Sequence, residues 1–230
     1  MARLKLQARV RASIILALTT ILGLIIYGGL PFRIAYAIFC GLAWHELLCI
    51  IDGKLYALKH INISGLEFLL LFISAFYMVF TKTFNIVLLI AGVVVTDAGA
   101  YFIGHAIGGK IIKKRPFPKV SPSKSWEGVL GGVALASLVV STILVSFPHA
   151  KSDWLYLLCS PFAVIGDALE SYTKRLFYVK DSCEETSNKV VICLCNFFMG
   201  GKDGHGGFLD RLDSMAFASS CMLLLSLITR

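Results

Sequence analysis

Residues 84–104 read FNIVLLIAGVVVTDAGAYFIG, an almost unbroken apolar run with one acid, Asp97, inside it. At about 1.5 Å of rise per residue, a helix of this length crosses a roughly 30 Å hydrocarbon layer. Comparable apolar windows lie on both sides of it, at 13–30, 32–51, 64–80, 127–147, 153–172 and 213–229. The pattern predicts an all-α, polytopic integral membrane protein of about seven transmembrane helices. Composition agrees, because the 230 residues are 57% hydrophobic and only 16% charged, whereas soluble domains carry about 25% charge. The chain is expected to form a single membrane-embedded domain over 1–230, with two elaborate inner loops at 105–126 and 173–212.

The opening MARLKLQARVR is basic and precedes an apolar run, as in a signal peptide. The run is long for a signal, and no small-residue cleavage site follows it, so a membrane helix is expected there. Basic residues then set the orientation, since Lys and Arg gather in cytoplasmic loops. With the N-terminus inside, the inner segments hold Arg3, Lys5, Arg9, Arg11, Lys54, Lys59 and the basic clusters of 105–126 and 173–212. Only Arg33, Lys82, Lys151 and Arg230 fall outside. A bacterial-type plasma (inner) membrane is the expected location, with the net charge of +8 facing anionic lipid heads and cytosolic anions. Nucleic acid is not expected as a partner, because the charges sit in short loops between spans.

Of seven cysteines, Cys40, Cys49, Cys159 and Cys221 fall within the apolar windows and Cys183, Cys193 and Cys195 in a reducing loop. No disulfide framework is expected, and the Cys-x-Cys spacing is not that of a zinc knuckle. Residues 190–199, VVICLCNFFM, are apolar but too short to span, which suggests a piece lying in the interface or folding back.

Chemistry is signalled by acids where lipid disfavours them. An ionised side chain at the bilayer centre costs at least about 2.5–3.5 kcal/mol, so it needs partners or a wet cavity. Glu46, Asp97, Asp167 and Glu170 are in that position. Asp167 with Glu170, and Asp210 with Asp213, are each three residues apart, a spacing that puts both acids on one helix face. Like charges that close repel unless a cation lies between them, so the pairs suggest a divalent site, with oxygen ligands favouring Mg²⁺ or Mn²⁺. The plainer reading is two loop-edge charge pairs, Glu170 with Lys174 and Asp210 with Arg211. In DGHGGFLDRLDS (203–214), Gly204, Gly206 and Gly207 precede a helix start, where backbone amides and the helix dipole favour an anion. His205 beside them suits phosphate contact or base catalysis.

Four ordered stretches carry a resemblance: DAGAYFIG (97–104), PKVSPSKSWEGVLGG (118–132), SYTKRLFYVKDS (171–182) and GHGGFLDRLDS (204–214). Together they resemble the phosphatidate cytidylyltransferases, the CDP-diacylglycerol synthases, over roughly 97–214. The sequence departs from that pattern at residues 182–204, which lengthen a connection that is short in the family, at Ala98, and at Lys202-Asp203. The resemblance implies transfer of CMP from CTP to phosphatidate, giving CDP-diacylglycerol and pyrophosphate in phospholipid biosynthesis. It implies Mg²⁺ or Mn²⁺ held by Asp167, Glu170, Asp210 and Asp213. Asp167, Asp210, Asp213, Lys174, Arg211 and His205 would form the catalytic set. Ser121, Lys124, Ser125, Arg175, Lys180, Gly206, Gly207 and Asp97 would contact substrate. Ser125 is also the expected N-cap of the fifth span, and Trp126 an interface anchor. CTP, phosphatidate and membrane lipids are the implied partners, and a homodimer is among the assemblies open to the chain. The alternatives are a membrane transporter, marked by inverted repeats that are not detectable here, and another cytidine-nucleotide lipid enzyme, whose Asp-x-x-Asp-Gly-x-x-Ala-Arg pattern is missing.

Overall fold

The computed structural model describes residues 18–51, 57–148, 154–179, 189–194 and 207–229. These are mostly helical, the longest exception being the loop at 108–125, with no strand among the described residues. A helical stretch over 18–25 leads through a 3-10 turn, Ile26–Gly29, into α1, Leu30–Ile51. The remaining helices are α2 (Ala57–Phe80), α3 (Thr83–Ile107), α4 (Trp126–Ser146), α5 (Cys159–Leu176), α6 (Lys189–Leu194) and α7 (Leu209–Ile228). Five segments are long and apolar enough to cross a membrane: Leu30–Ile51, Asn62–Phe80, Thr83–Ile107, Trp126–Ser146 and Leu209–Ile228. Along them, large apolar side chains such as Ile38, Phe72 and Leu138 are more than half exposed, which water would penalise and lipid tails accept. The chain is an integral membrane protein.

One of the seven expected spans differs, and another lies partly outside the described residues. Only residues from Leu18 onward of the first window are described. The window at 153–172 breaks into a 3-10 turn, Trp154–Leu158, followed by α5, and α5 carries Asp167, Glu170, Lys174 and Arg175. Four ionisable groups in so short a helix make it too polar to count as an apolar span. The stretch at 190–199 contributes the short α6, and its remaining residues lie outside the described ones.

The described residues fall into two compact units. The first draws on Met1–Val79 and Tyr172–Leu212, the second on Phe80–Ser171 and Asp213–Arg230. In the first, Arg33 near the start of α1 donates to the carbonyl oxygens of Met78 (3.2 Å) and Val79 at the end of α2. Those carbonyls have no helical partner, so the guanidinium satisfies groups that apolar surroundings would leave stranded. Tyr36 and Ser74 share a buried hydroxyl hydrogen bond between the same two helices.

In the second unit α3 and α4 meet backbone to backbone. A Cβ placed on Gly132 would lie 2.5 Å from the Thr96 carbonyl oxygen and 2.7 Å from the Ala100 nitrogen. One placed on Gly128 would lie 2.7 Å from the Ala100 oxygen. Small residues thus permit the close approach that drives helix association in lipid. α5 and α7 approach equally closely at Gly166, whose Cβ would lie 2.7 Å from the Asp213 oxygen.

Candidate active site

A cavity of about 470 Å³ opens in the second unit. α3 lines it with Thr96, Asp97, Ala100, Tyr101, Gly104 and His105, α4 with Gly128 and Val129, and α5 with Val164 and Asp167. Ser123, Lys124 and Ser125 come from the loop before α4. Gly104 and Gly128, where α3 and α4 approach, form part of the wall. Its volume lies within the roughly 300–1,000 Å³ of small-molecule sites.

At this wall the Lys124 ammonium donates to Asp167 Oδ2, both side chains being part-buried. One turn of geometry explains why the lysine is there. Ser125 is the N-cap of α4, in extended backbone (φ −113°, ψ 153°), and its hydroxyl oxygen accepts the Gly128 N–H at 3.2 Å. Glu127, in the first turn of α4, accepts the N–H groups of Ile111 (3.0 Å) and Ile112 (2.8 Å) through Oε1. A carboxylate near a helix N-terminus is favoured by the dipole, and here it also ties the loop after α3 to the start of α4. Asp213 lies on the helix that Gly166 brings against α5, so Asp167 and Asp213 flank that close contact within one unit.

The first unit holds Glu46, Glu67 and Asp210. Both oxygens of Glu46, which is fully buried in α1, accept consecutive backbone N–H groups at the start of α7: Phe208 at 3.1 Å and Leu209 at 3.0 Å. Asp210 Oδ2 accepts the Gly207 N–H at 3.0 Å, and its Oδ1 accepts from Lys174 at 2.9 Å. Glu67 of α2 is buried, with Thr173 and Lys174 facing it.

Lys124, Ser125, Asp97 and Asp167 therefore share one cavity, while Ser121 lies outside its wall in a turn where its N–H donates to the Phe117 oxygen at 2.9 Å. Lys174, Asp210, Arg211 and Gly207 belong to the first unit, Glu170 and Asp213 to the second. Glu170 is buried and Arg175 exposed. Trp126 is 38% exposed at the start of α4, as suits an interface anchor. His205, Gly206 and Lys180 lie outside the described residues. Lys174 pairs with Asp210, rather than leaving that acid to Arg211 alone. The amides of Gly207, Phe208 and Leu209 go to carboxylates, so this helix start already holds internal anions.

Sequence reasoning passed over Glu67, Glu127, Tyr101 and His105. The two glutamates were signalled by lying in or beside apolar windows, and the two rings by an i, i+4 spacing that stacks them at 6.3 Å and 8°. Among the described residues no three His, Cys, Asp or Glu side chains gather closely enough to hold a metal ion. Asp167 and Asp210 instead each hold a lysine ammonium. A hard divalent ion reaching these carboxylates would have to take the place of the two ammonium groups.

Comparison with known proteins supplies the class. Residues 62–187 match the model of the Cytidylyltransferase family, and the chain belongs to that family. A phosphatidate cytidylyltransferase of Helicobacter pylori (strain J99) is 40% identical over 139 residues, 58% of this chain and 44% of the relative. One of Bacillus subtilis (strain 168) is 37% identical over 127 residues, 53% of this chain and 39% of the relative. One of Brucella suis biovar 1 is 36% identical over 144 residues, 61% and 46% of the two chains. The matched stretch spans less than half the length of each of these relatives.

Proposed function

We propose that the chain transfers CMP from CTP to phosphatidate, yielding CDP-diacylglycerol and pyrophosphate. The observation that carries this reading is the Lys124–Asp167 pair on the wall of a membrane-helix cavity, in a chain whose relatives are named phosphatidate cytidylyltransferase. A phosphate oxygen of the lipid attacks the α-phosphorus of CTP, the bond to the β-phosphate oxygen breaks, and pyrophosphate leaves. The lipid phosphate is already ionised, so no protein nucleophile is required. Both reactants are anions, and the site's task is to neutralise and align them.

The paired lysines fit that task. Lys124 and Lys174 rest on Asp167 and Asp210, so each is held as a charged donor beside an acid. Phosphate oxygens accept charge-assisted hydrogen bonds from such ammonium groups, and Arg175 and Arg211 add planar, two-pronged contacts. Ser123 and Ser125 add hydroxyls at the cavity wall, and Asp97 faces the same space. Ser121, Lys180, Gly206 and His205 complete the proposed substrate contacts, whereas the Gly207 amide is committed to Asp210. Mg²⁺ or Mn²⁺ is the proposed cofactor, with Asp167, Glu170 and Asp213 of the second unit and Asp210 of the first each a candidate ligand; it would supply positive charge to the triphosphate and the leaving pyrophosphate. The basic loops support a site on the cytoplasmic side of a bacterial-type inner membrane.

The test is to incubate purified protein with CTP, phosphatidate and Mg²⁺ and to measure pyrophosphate. Release that needs both substrates supports the reading. A transporter built on the same acids would release none.

A further inference from the structure

We propose that Glu46 is a positioning residue for this reaction, fastening the first turn of α7 and thereby setting the Asp210 carboxylate; the inference rests on the function proposed above. Phe208 occupies the cap position of α7 and has no side-chain acceptor, although Ser, Thr, Asp or Asn normally serves there. The missing acceptor comes from 162 residues away. Glu46 is fully buried and divides its two oxygens between the Phe208 and Leu209 amides. A buried charge within a span is costly, and packing alone would be served by an apolar side chain. What the carboxylate supplies is a pair of charge-assisted bonds at the positive end of a helix.

The consequence reaches the next residue. Phe208 is itself fully buried and packs on Phe39 with ring centroids 5.1 Å apart, so ring and carboxylate of α1 together grip one turn. Asp210 follows within that turn, bonded back to the Gly207 amide and across to Lys174. Freeing the Phe208 and Leu209 amides loosens the backbone from which Asp210 projects. Gly207, Phe208, Leu209, Asp210, Lys174 and Glu46 all lie in the first unit.

Glu46→Gln is the discriminating change, since an amide offers one oxygen and turns a donor toward the second N–H. Hydrogen–deuterium exchange of full-length protein should rise at 207–212 and stay unchanged along the other helices. CDP-diacylglycerol formation should fall about 10- to 100-fold in kcat, the usual effect of losing a supporting partner, with little change in KM for phosphatidate. Glu46→Asp, one methylene shorter, should reach one amide and recover part of the rate. Unaltered exchange at 207–212, or unaltered kcat in both variants, overturns the proposal. So does exchange that rises along every helix, because Glu46 would then hold the fold rather than the site. Wild-type protein that makes no CDP-diacylglycerol removes the reaction assigned above, while the exchange result still decides whether Glu46 fastens this turn.

Discussion

Replacing Gly166 by alanine should damage catalysis through a single methyl group. The added Cβ would sit 2.7 Å from the Asp213 oxygen, 2.8 Å from the Phe217 Cβ and 3.0 Å from the Ser214 Cα, where ordinary contact begins at 3.4 Å. Two of these neighbours are backbone atoms and the third is a Cβ, so no side-chain rotation relieves the clash. α5 and α7 must part by about 0.7 Å, and overpacking of this kind costs about 1–3 kcal/mol. Asp167 follows Gly166 directly and Asp213 is the residue struck, so the displacement falls on two proposed metal-holding acids. Sites tolerate about 0.5 Å of misplacement, and about 1 Å costs near a hundredfold. The expected loss in kcat/KM is therefore about 10- to 100-fold, measured as pyrophosphate release in detergent or vesicles. Gly41→Ala and Gly65→Ala are the controls, since a Cβ at either meets nothing within 4 Å, and both should keep wild-type rates. Full activity in Gly166→Ala, or equal losses in all three variants, would refute the reasoning.

Further outcomes are expected elsewhere. Lys124→Met keeps the length of the stem but removes the ammonium, and should raise KM for CTP by about tenfold or more; an unchanged KM would remove Lys124 from the substrate contacts. Tyr178 has φ 58°, at the end of α5, where Val179 N–H bonds to the Lys174 oxygen at 2.9 Å and Tyr178 N–H to the Arg175 oxygen at 3.3 Å. This position favours glycine, so Tyr178→Gly should stabilise the protein by about 1 kcal/mol, read as a higher thermal midpoint; a lower midpoint would contradict it. Chelation of divalent ions should abolish product formation, and Mg²⁺ or Mn²⁺ should restore it; activity that persists in chelator would take Asp167, Glu170, Asp210 and Asp213 out of the metal-holding role.

The helices were legible because lipid imposes long apolar runs, and the runs at 32–51, 64–80, 84–104, 127–147 and 213–229 each coincide with a helix able to span. The Ser125 cap was legible too, since a hydroxyl residue just before Trp126 marks a helix start locally. The window at 153–172 misled because its apolar average hides Asp167 and Glu170, and the chain there first makes a tight turn. Partnerships were the least legible feature. Nothing local links Lys124 to Asp167, 43 residues on, or Lys174 to Asp210, 36 residues on. Glu46 and Glu127 bind backbone amides, which every residue but proline possesses, so no side-chain motif advertises the match. Glu67 was missed for a related reason, because its neighbours Thr173 and Lys174 come from a distant helix.

The fate of the two ends of CTP distinguishes this chemistry from every other use of membrane acids. Purified protein should be given phosphatidate, Mg²⁺ and CTP labelled either at the α- or at the γ-phosphate. Label from the α-position should appear in a lipid product and label from the γ-position only in pyrophosphate, with both signals abolished in Asp210→Asn. No lipid label from α-labelled CTP, or lipid labelled equally from the γ-position, would contradict cytidylyl transfer by this chain.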